Sequence, residues 1–120
     1  MKYMLLVYLA EDAMNDAERD HCYVESAQLA RDLHASGHYL DASPLHPVAT
    51  AKTVRMRDGK PLTTDGPFAE THEQLGGYYV VDVNCLEEAV AIAARIPAAR
   101  VGTIEIRPVK EMPGLPEHSS

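Results

Sequence analysis

KYMLLVYL, residues Lys2 to Leu9, is almost unbroken in apolar and aromatic side chains. A run of this length suits a β-strand covered on both faces and is too short for a helix with one wet side, so it reads as a central strand. Downstream, Asn15 precedes Asp16, Ala17 and Glu18. In that order the Asn side chain accepts from a free amide of the first helical turn while Glu18 reaches back to the Asn15 amide, and a helix begins. Its inner stripe is Cys22, Ser26, Leu29, Ala30 and Leu33, three and four apart, and Gly37 supplies a left-handed stop.

The next elements are strands. Tyr39 to Leu45 and Val48 to Met56 are separated by His46-Pro47, a bend or bulge, and the second stretch reads as an irregular strand with one wet face. Asp58-Gly59 is a two-residue turn whose central positions both take positive φ, returning the chain through Lys60 to Thr64. Gly77 to Val83 is rich in β-branched and aromatic residues and forms another strand. Asn84-Cys85-Leu86-Glu87 repeats the helix-start pattern, with Leu86, Ala89, Val90 and Ala93 as the expected buried stripe until Pro97 forbids continuation. Thr103 to Val109 alternates Ile104 and Ile106 with Glu105 and Arg107, a half-buried strand.

The order is β-α-β-hairpin-β-α-β, an α+β arrangement. Two βαβ-like halves in one antiparallel sheet, with both helices on one face, make a ferredoxin-like βαββαβ fold with an extra β-hairpin. Tyr3, Tyr8, Tyr78, Tyr79 and their apolar neighbours are more than two short helices can cover. The bare sheet face therefore predicts a homodimer with two sheets facing each other. Residues 1–110 are read as one domain, and residues 111–120 as a proline-rich tail that frays or drapes over a neighbour.

Composition narrows the partners. A net charge of −7 repels a phosphate backbone and an anionic bilayer alike, so neither nucleic acid nor membrane is an expected partner. Cys22 and Cys85 lack CxxC spacing, Met1 leads straight into a strand without a basic leader, and the cytoplasm is the expected compartment. No HExxH, GxGxxG or lysine-bearing phosphate loop occurs, so no metal and no cofactor is expected.

The chemistry gathers in TTDGPFAETHEQLGGYY, Thr63 to Tyr79. Asp65 before Gly66-Pro67 either caps the turn by bonding amides two and three residues on, or sits beside Phe68 in a cleft where lost hydration raises its pKa from about 4 and makes it a base. Glu70 is placed in the first turn of a one-turn helix opened by Pro67 and closed by Gly76. There it is favoured by the helix dipole, or it forms with Asp65 a pair of carboxylates with split pKa values, one acid and one base. Tyr8, Phe68, His72 and Tyr78 are the candidates for contact with a small-molecule ligand, although Tyr8 and Tyr78 also suit a packed dimer core.

TVRMRDGKPLTTDGPFAETHEQLGGYYVVDV, Thr53 to Val83, with IPAARVGTIEIRPV, Ile96 to Val109, resembles the YCII-related family, in particular its DGPF-domain branch. The resemblance implies a ferredoxin-like subunit pairing into a dimeric α/β barrel, as in muconolactone isomerases and some cofactor-free monooxygenases. It implies no single activity: a few relatives act as dehydrochlorinases or small lyases on ring compounds, and many DGPF-branch proteins are encoded beside sigma factors. The wider family carries a His near the start of its first helix, and counting back from Gly37 puts Ser26 at about that place, so Ser26 joins the candidate binding residues. His21, five residues earlier, is rotated off that face. Two functions follow as expectations. One is a cofactor-free lyase, isomerase or hydrolase on an aromatic or unsaturated acid held in the dimer cleft, with Asp65 as base, Glu70 as partner and Tyr8 or Tyr78 orienting the substrate. The other is a non-catalytic ligand-binding or regulatory dimer linked to sigma-factor-dependent transcription.

Overall fold

The structure, a computed structural model, describes residues 1–116. The elements are β1 (Lys2–Leu9), α1 (Asp16–Ala35), β2 (Tyr39–Pro44), β3 (Lys52–Arg57), β4 (Lys60–Asp65), β5 (Gln74–Asp82), α2 (Leu86–Ala93) and β6 (Thr103–Pro108), with short 3₁₀ turns at Val48–Thr50 and Pro97–Arg100. Four strands form one antiparallel sheet in the order β2-β5-β1-β6, while among the described residues β3 and β4 pair only with each other. This is the ferredoxin-like α+β fold, and β1 is central as its apolar run requires. Residues 117–120 of the proline-rich tail, His118 among them, lie outside the described residues.

Alternation along β1 separates two environments. Tyr3, Leu5 and Val7 are buried, and both helices meet them there: Leu29 and Leu33 from α1 and Ala89 and Ile92 from α2 join Tyr79 and Val81 in one core. Met4, Leu6 and Tyr8 alternate with them onto the opposite, helix-free face and are half-buried. The tyrosine reading is thereby corrected in part. Tyr3 and Tyr79 do fit under the helices, each only 5% exposed, which leaves Tyr8 and Tyr78 for the bare face.

The ends of α1 form as the sequence dictates. Asn15 Oδ1 accepts from the Glu18 amide at 2.8 Å and Glu18 Oε1 from the Asn15 amide at 3.0 Å, a reciprocal cap. At the other end Gly37 takes φ +83°, its amide reaching the His34 carbonyl and that of His38 the Leu33 carbonyl. The second helix differs from expectation. Ala89, Ile92 and Ala93 are its buried stripe, whereas Leu86 and Val90 are about half exposed. Eight residues give little more than two turns, and only the side toward Ile96 and Ala98 reaches the core. Cys85 makes no side-chain cap; instead Glu88 accepts from the Asn84 amide at 3.1 Å.

Between β2 and β5 the chain leaves the body. Strand β2 ends at Pro44 and Pro47 precedes the turn at Val48–Thr50, so the strand expected from Val48 begins only at Lys52. Asp58 (φ 52°) and Gly59 (φ 75°) make the two-residue turn. That turn sets Arg57 opposite Lys60 and, five residues down, Lys52 opposite Asp65. Beyond it residues 66–73 form bends and not the one-turn helix expected around Glu70, which therefore has no helix dipole to favour it. Nor does Gly76 close a helix. It is the residue left over where pairing passes from Val7–Gly77 to Tyr8–Leu75, a bulge in which a Cβ would stand 2.7 Å from Leu9 Cδ2. Among the described residues no helix is long and apolar enough to cross a membrane.

Candidate functional site

The short side chains of α1 that made its stripe narrow also keep it from filling the space above the sheet. Cys22, Ser26 and Ala30 face Val7 and Leu9 of β1, Gly77 and Tyr79 of β5 and Ala42 of β2 across a cavity of about 680 Å³. Gly77 matters because its strand runs against the β2 backbone. A Cβ there would lie 3.0 Å from the Ser43 carbonyl oxygen and 3.2 Å from Pro44 Cα, so only glycine fits without a shift.

Polar groups stand around this apolar floor. Tyr79 donates to the Ser26 carbonyl at 3.0 Å, tying β5 to the helix wall, and burial pushes its phenol above the ordinary value, so it stays a donor. At the mouth are Glu11, His46 and Gln74. Glu11 Oε2 accepts from the Val48 amide at 2.8 Å, joining the loop after β1 to the bend after β2 and positioning His46, two residues before Val48. Arg19 closes the near side, donating to the Glu11 and Met14 carbonyls at 3.1 and 3.3 Å and to Asp16 at 3.0 Å. The site suits an apolar or aromatic molecule oriented by a few hydrogen bonds at its rim. Among the described residues no cluster of His, Cys, Asp and Glu is arranged to hold a metal ion.

Of the residues singled out in the sequence, Ser26 and Tyr78 border this cavity. Tyr78 does so at its strand, its hydroxyl donating to Asp41 Oδ2 at 3.0 Å on the bare face. His21 is off the cavity wall as its spacing requires, 3.4 Å from Glu25. Tyr8 is on the bare face near Glu105. Asp65, Phe68, Glu70 and His72 are outside the cavity and exposed. The Asp65 carboxylate pairs with Lys52 and its side chain is 83% exposed, so within one protomer it is neither the turn cap nor the desolvated base expected of it. Phe68, 77% exposed, lies under the Arg55 guanidinium at 5.2 Å. Glu11, His46 and Gln74 escaped the sequence reading because they meet through contacts distant in sequence, Glu11 to the Val48 amide across 37 residues and Gln74 opposite Leu9 in the β1–β5 register, which no local spacing encodes.

Replacing Tyr79 by Phe removes the strand-to-helix bond while keeping the ring. Urea denaturation is expected to show a loss of about 1 kcal/mol, the usual net value of one such bond. An unchanged midpoint would mean that the hydroxyl does not hold this wall.

Three comparisons bear on this geometry. An uncharacterized protein of Rhizobium meliloti is 36% identical over 118 residues, covering 91% of this chain and 92% of its own. The solved structure of 5-chloro-2-hydroxyhydroquinone dehydrochlorinase from Burkholderia phenoliruptrix, in complex with 2,5-dihydroxybenzoquinone, superposes with a TM-score of 0.60 over 93% of this chain and 96% of that one. At 12% identity it shows the same fold and nothing finer. The family model of the YCII-related domain matches residues 1–113. The chain belongs to the YCII-related family.

Proposed function

We propose that this protein binds a small ring-shaped organic molecule, an aromatic or unsaturated acid or a quinone-like compound, in the cavity between α1 and the sheet. The observation that carries the reading is the cavity itself: an apolar floor of Val7, Leu9, Tyr79 and Ala42, with Ser26 on its wall and Glu11, His46 and Gln74 at its mouth. The dehydrochlorinase of the same fold, held with a quinone, supports the ligand class by analogy. We also propose that two copies pair through their bare sheet faces, and that the protein works in the cytoplasm, where Cys22 and Cys85, both free, stay reduced.

Binding without catalysis is the reading that the exposed acids favour. A cofactor-free lyase, isomerase or hydrolase with Asp65 as base and Glu70 as partner needs those carboxylates beside the ligand, and Asp65 instead faces water and Lys52. A link to sigma-factor-dependent transcription rests on the family resemblance alone. The test is calorimetry with 2,5-dihydroxybenzoquinone, hydroquinone and benzoate, followed by product analysis. Asp65→Ala is expected to bind as the native chain does, within about twofold, and neither protein to turn the compounds over. Turnover that is lost in Asp65→Ala would establish the catalytic reading in its place.

A further inference from the structure

Most of the polar groups around the cavity are already engaged. Tyr79 bonds the Ser26 carbonyl and Tyr78 bonds Asp41, each at 3.0 Å. Arg19 directs its guanidinium to Asp16 and to the Glu11 and Met14 carbonyls, Gln74 Nε2 donates to the Thr71 carbonyl at 2.8 Å, and Glu11 Oε2 is held on the Val48 amide. His46 differs. Its imidazole makes no hydrogen bond or ion pair among the described residues, yet the chain that carries it is tied down on both sides. The Leu45 amide donates to the Gly76 carbonyl at 2.9 Å and the Val48 amide to Glu11 at 2.8 Å. Pro44 and Pro47 fix φ at two further positions of this short segment. The ring is therefore kept at the cavity mouth with both nitrogens open to a bound molecule.

Histidine is the residue type that ordinarily gains a positive charge on acidification from about pH 7.5 to about pH 5.5. Besides Tyr78 and Tyr79, the ionisable groups sharing the lining with His46 are Glu11 from the loop after β1, Arg19, Cys22 and Tyr23 from α1, and Tyr39 from β2. Thiols and phenols ordinarily ionise above that range, and His72 and Glu73, just before Gln74, are outside the lining. We infer that His46 makes the cavity select ring compounds bearing an ionised oxygen, a carboxylate or an acidic hydroxyl, over neutral rings. The ring lies on the apolar floor and its oxyanion accepts a charge-assisted hydrogen bond from the imidazolium. The inference rests on the proposed binding of a ring-shaped molecule in this cavity and names the members of that class it prefers. An anion binds the charged imidazole better than the neutral one, so affinity is full at the acidic end of the range and falls as pH rises. Glu11 acts in the same sense, since protonating it removes a repulsion, and substitution of His46 separates the two.

The test is calorimetry at about pH 5.5 and about pH 7.5 with benzoate, ionised at both, and with hydroquinone under nitrogen, neutral at both. The native chain is expected to bind benzoate about fivefold more weakly at the higher pH and hydroquinone equally at the two, within about twofold. His46→Phe keeps a ring and loses the donors. It is expected to lower benzoate affinity about tenfold at the lower pH, hydroquinone affinity by less, and to remove the pH dependence. His46→Gln keeps a donor without the charge, and its benzoate affinity is likewise expected to be flat with pH. Urea midpoints check that both variants are folded, as the exposed imidazole leads one to expect. Equal losses for the two ligands, or a benzoate slope that survives in both variants and so belongs to Glu11, would overturn the role of His46 and leave the cavity site standing. Ligands that bind Ser26→Trp, its cavity filled, as well as the native chain, or that bind neither, would overturn the cavity site and the inference together.

Discussion

Ser26→Trp is expected to abolish ligand binding, lowering affinity at least about 100-fold, or some 2.7 kcal/mol. Ser26 stands half-buried on the α1 wall facing Val7, Gly77 and Tyr79, so an indole there occupies the space a bound ring needs. It has room to do so because the neighbours on that wall, Cys22 and Ala30, are small. The fold is expected to survive, since the substitution fills a hollow and displaces no packed side chain. Calorimetry against the same three compounds checks the affinity, and a retained urea midpoint shows that the loss is local. Undiminished binding in a folded Ser26→Trp protein would place the ligand elsewhere.

Gly102→Ala is expected to be the most destabilising single methyl in the protein, at about 3 kcal/mol or more. A Cβ at Gly102 would come within 2.1 Å of the Tyr8 carbonyl oxygen, 2.9 Å of Leu9 Cβ and 3.1 Å of Leu9 Cα. None of these atoms belongs to the free end of a flexible side chain, so relief requires the end of β1 to move away from β6, where Tyr8 pairs with Thr103. Gly59→Ala makes the useful contrast. Gly59 has a positive φ but nothing within 4 Å of its added Cβ, so that variant suffers only backbone strain, about 1 kcal/mol. Urea unfolding of the pair separates collision from strain, and equal losses would show that the β1–β6 contact yields more easily than these distances imply.

Where structure follows from contacts near in sequence, the residues were sufficient. The apolar run of β1, the reciprocal Asn15–Glu18 cap, the Gly37 stop and the Asp58-Gly59 turn each encode their element locally, and four strands with two helices leave few topologies. In α2 the helical period puts Leu86 and Val90 on the inner stripe, yet both extend past the body and stay about half exposed. Asp65 is instructive in another way. A two-residue turn at Asp58-Gly59 puts Lys52 opposite Asp65, so the ion pair is legible from register, whereas the acids and aromatics between Thr63 and Tyr79 carry no local sign of it. The cavity was not legible at all. It arises where α1, β1, β2 and β5 converge, and its size depends on small residues whose effect appears only once the elements are packed.

The direct test of the cavity as the ligand site is an amide NMR titration of the full chain with 2,5-dihydroxybenzoquinone. The expected result is saturable shifts concentrated at Cys22, Ser26 and Ala30 of α1, at Gly76, Gly77 and Tyr79 of β5 and at His46, with the β3–β4 hairpin amides from Lys52 to Asp65 unmoved. Shifts confined to Asp65, Phe68 and Glu70, with the α1 wall silent, would contradict it and return the site to the exposed loop.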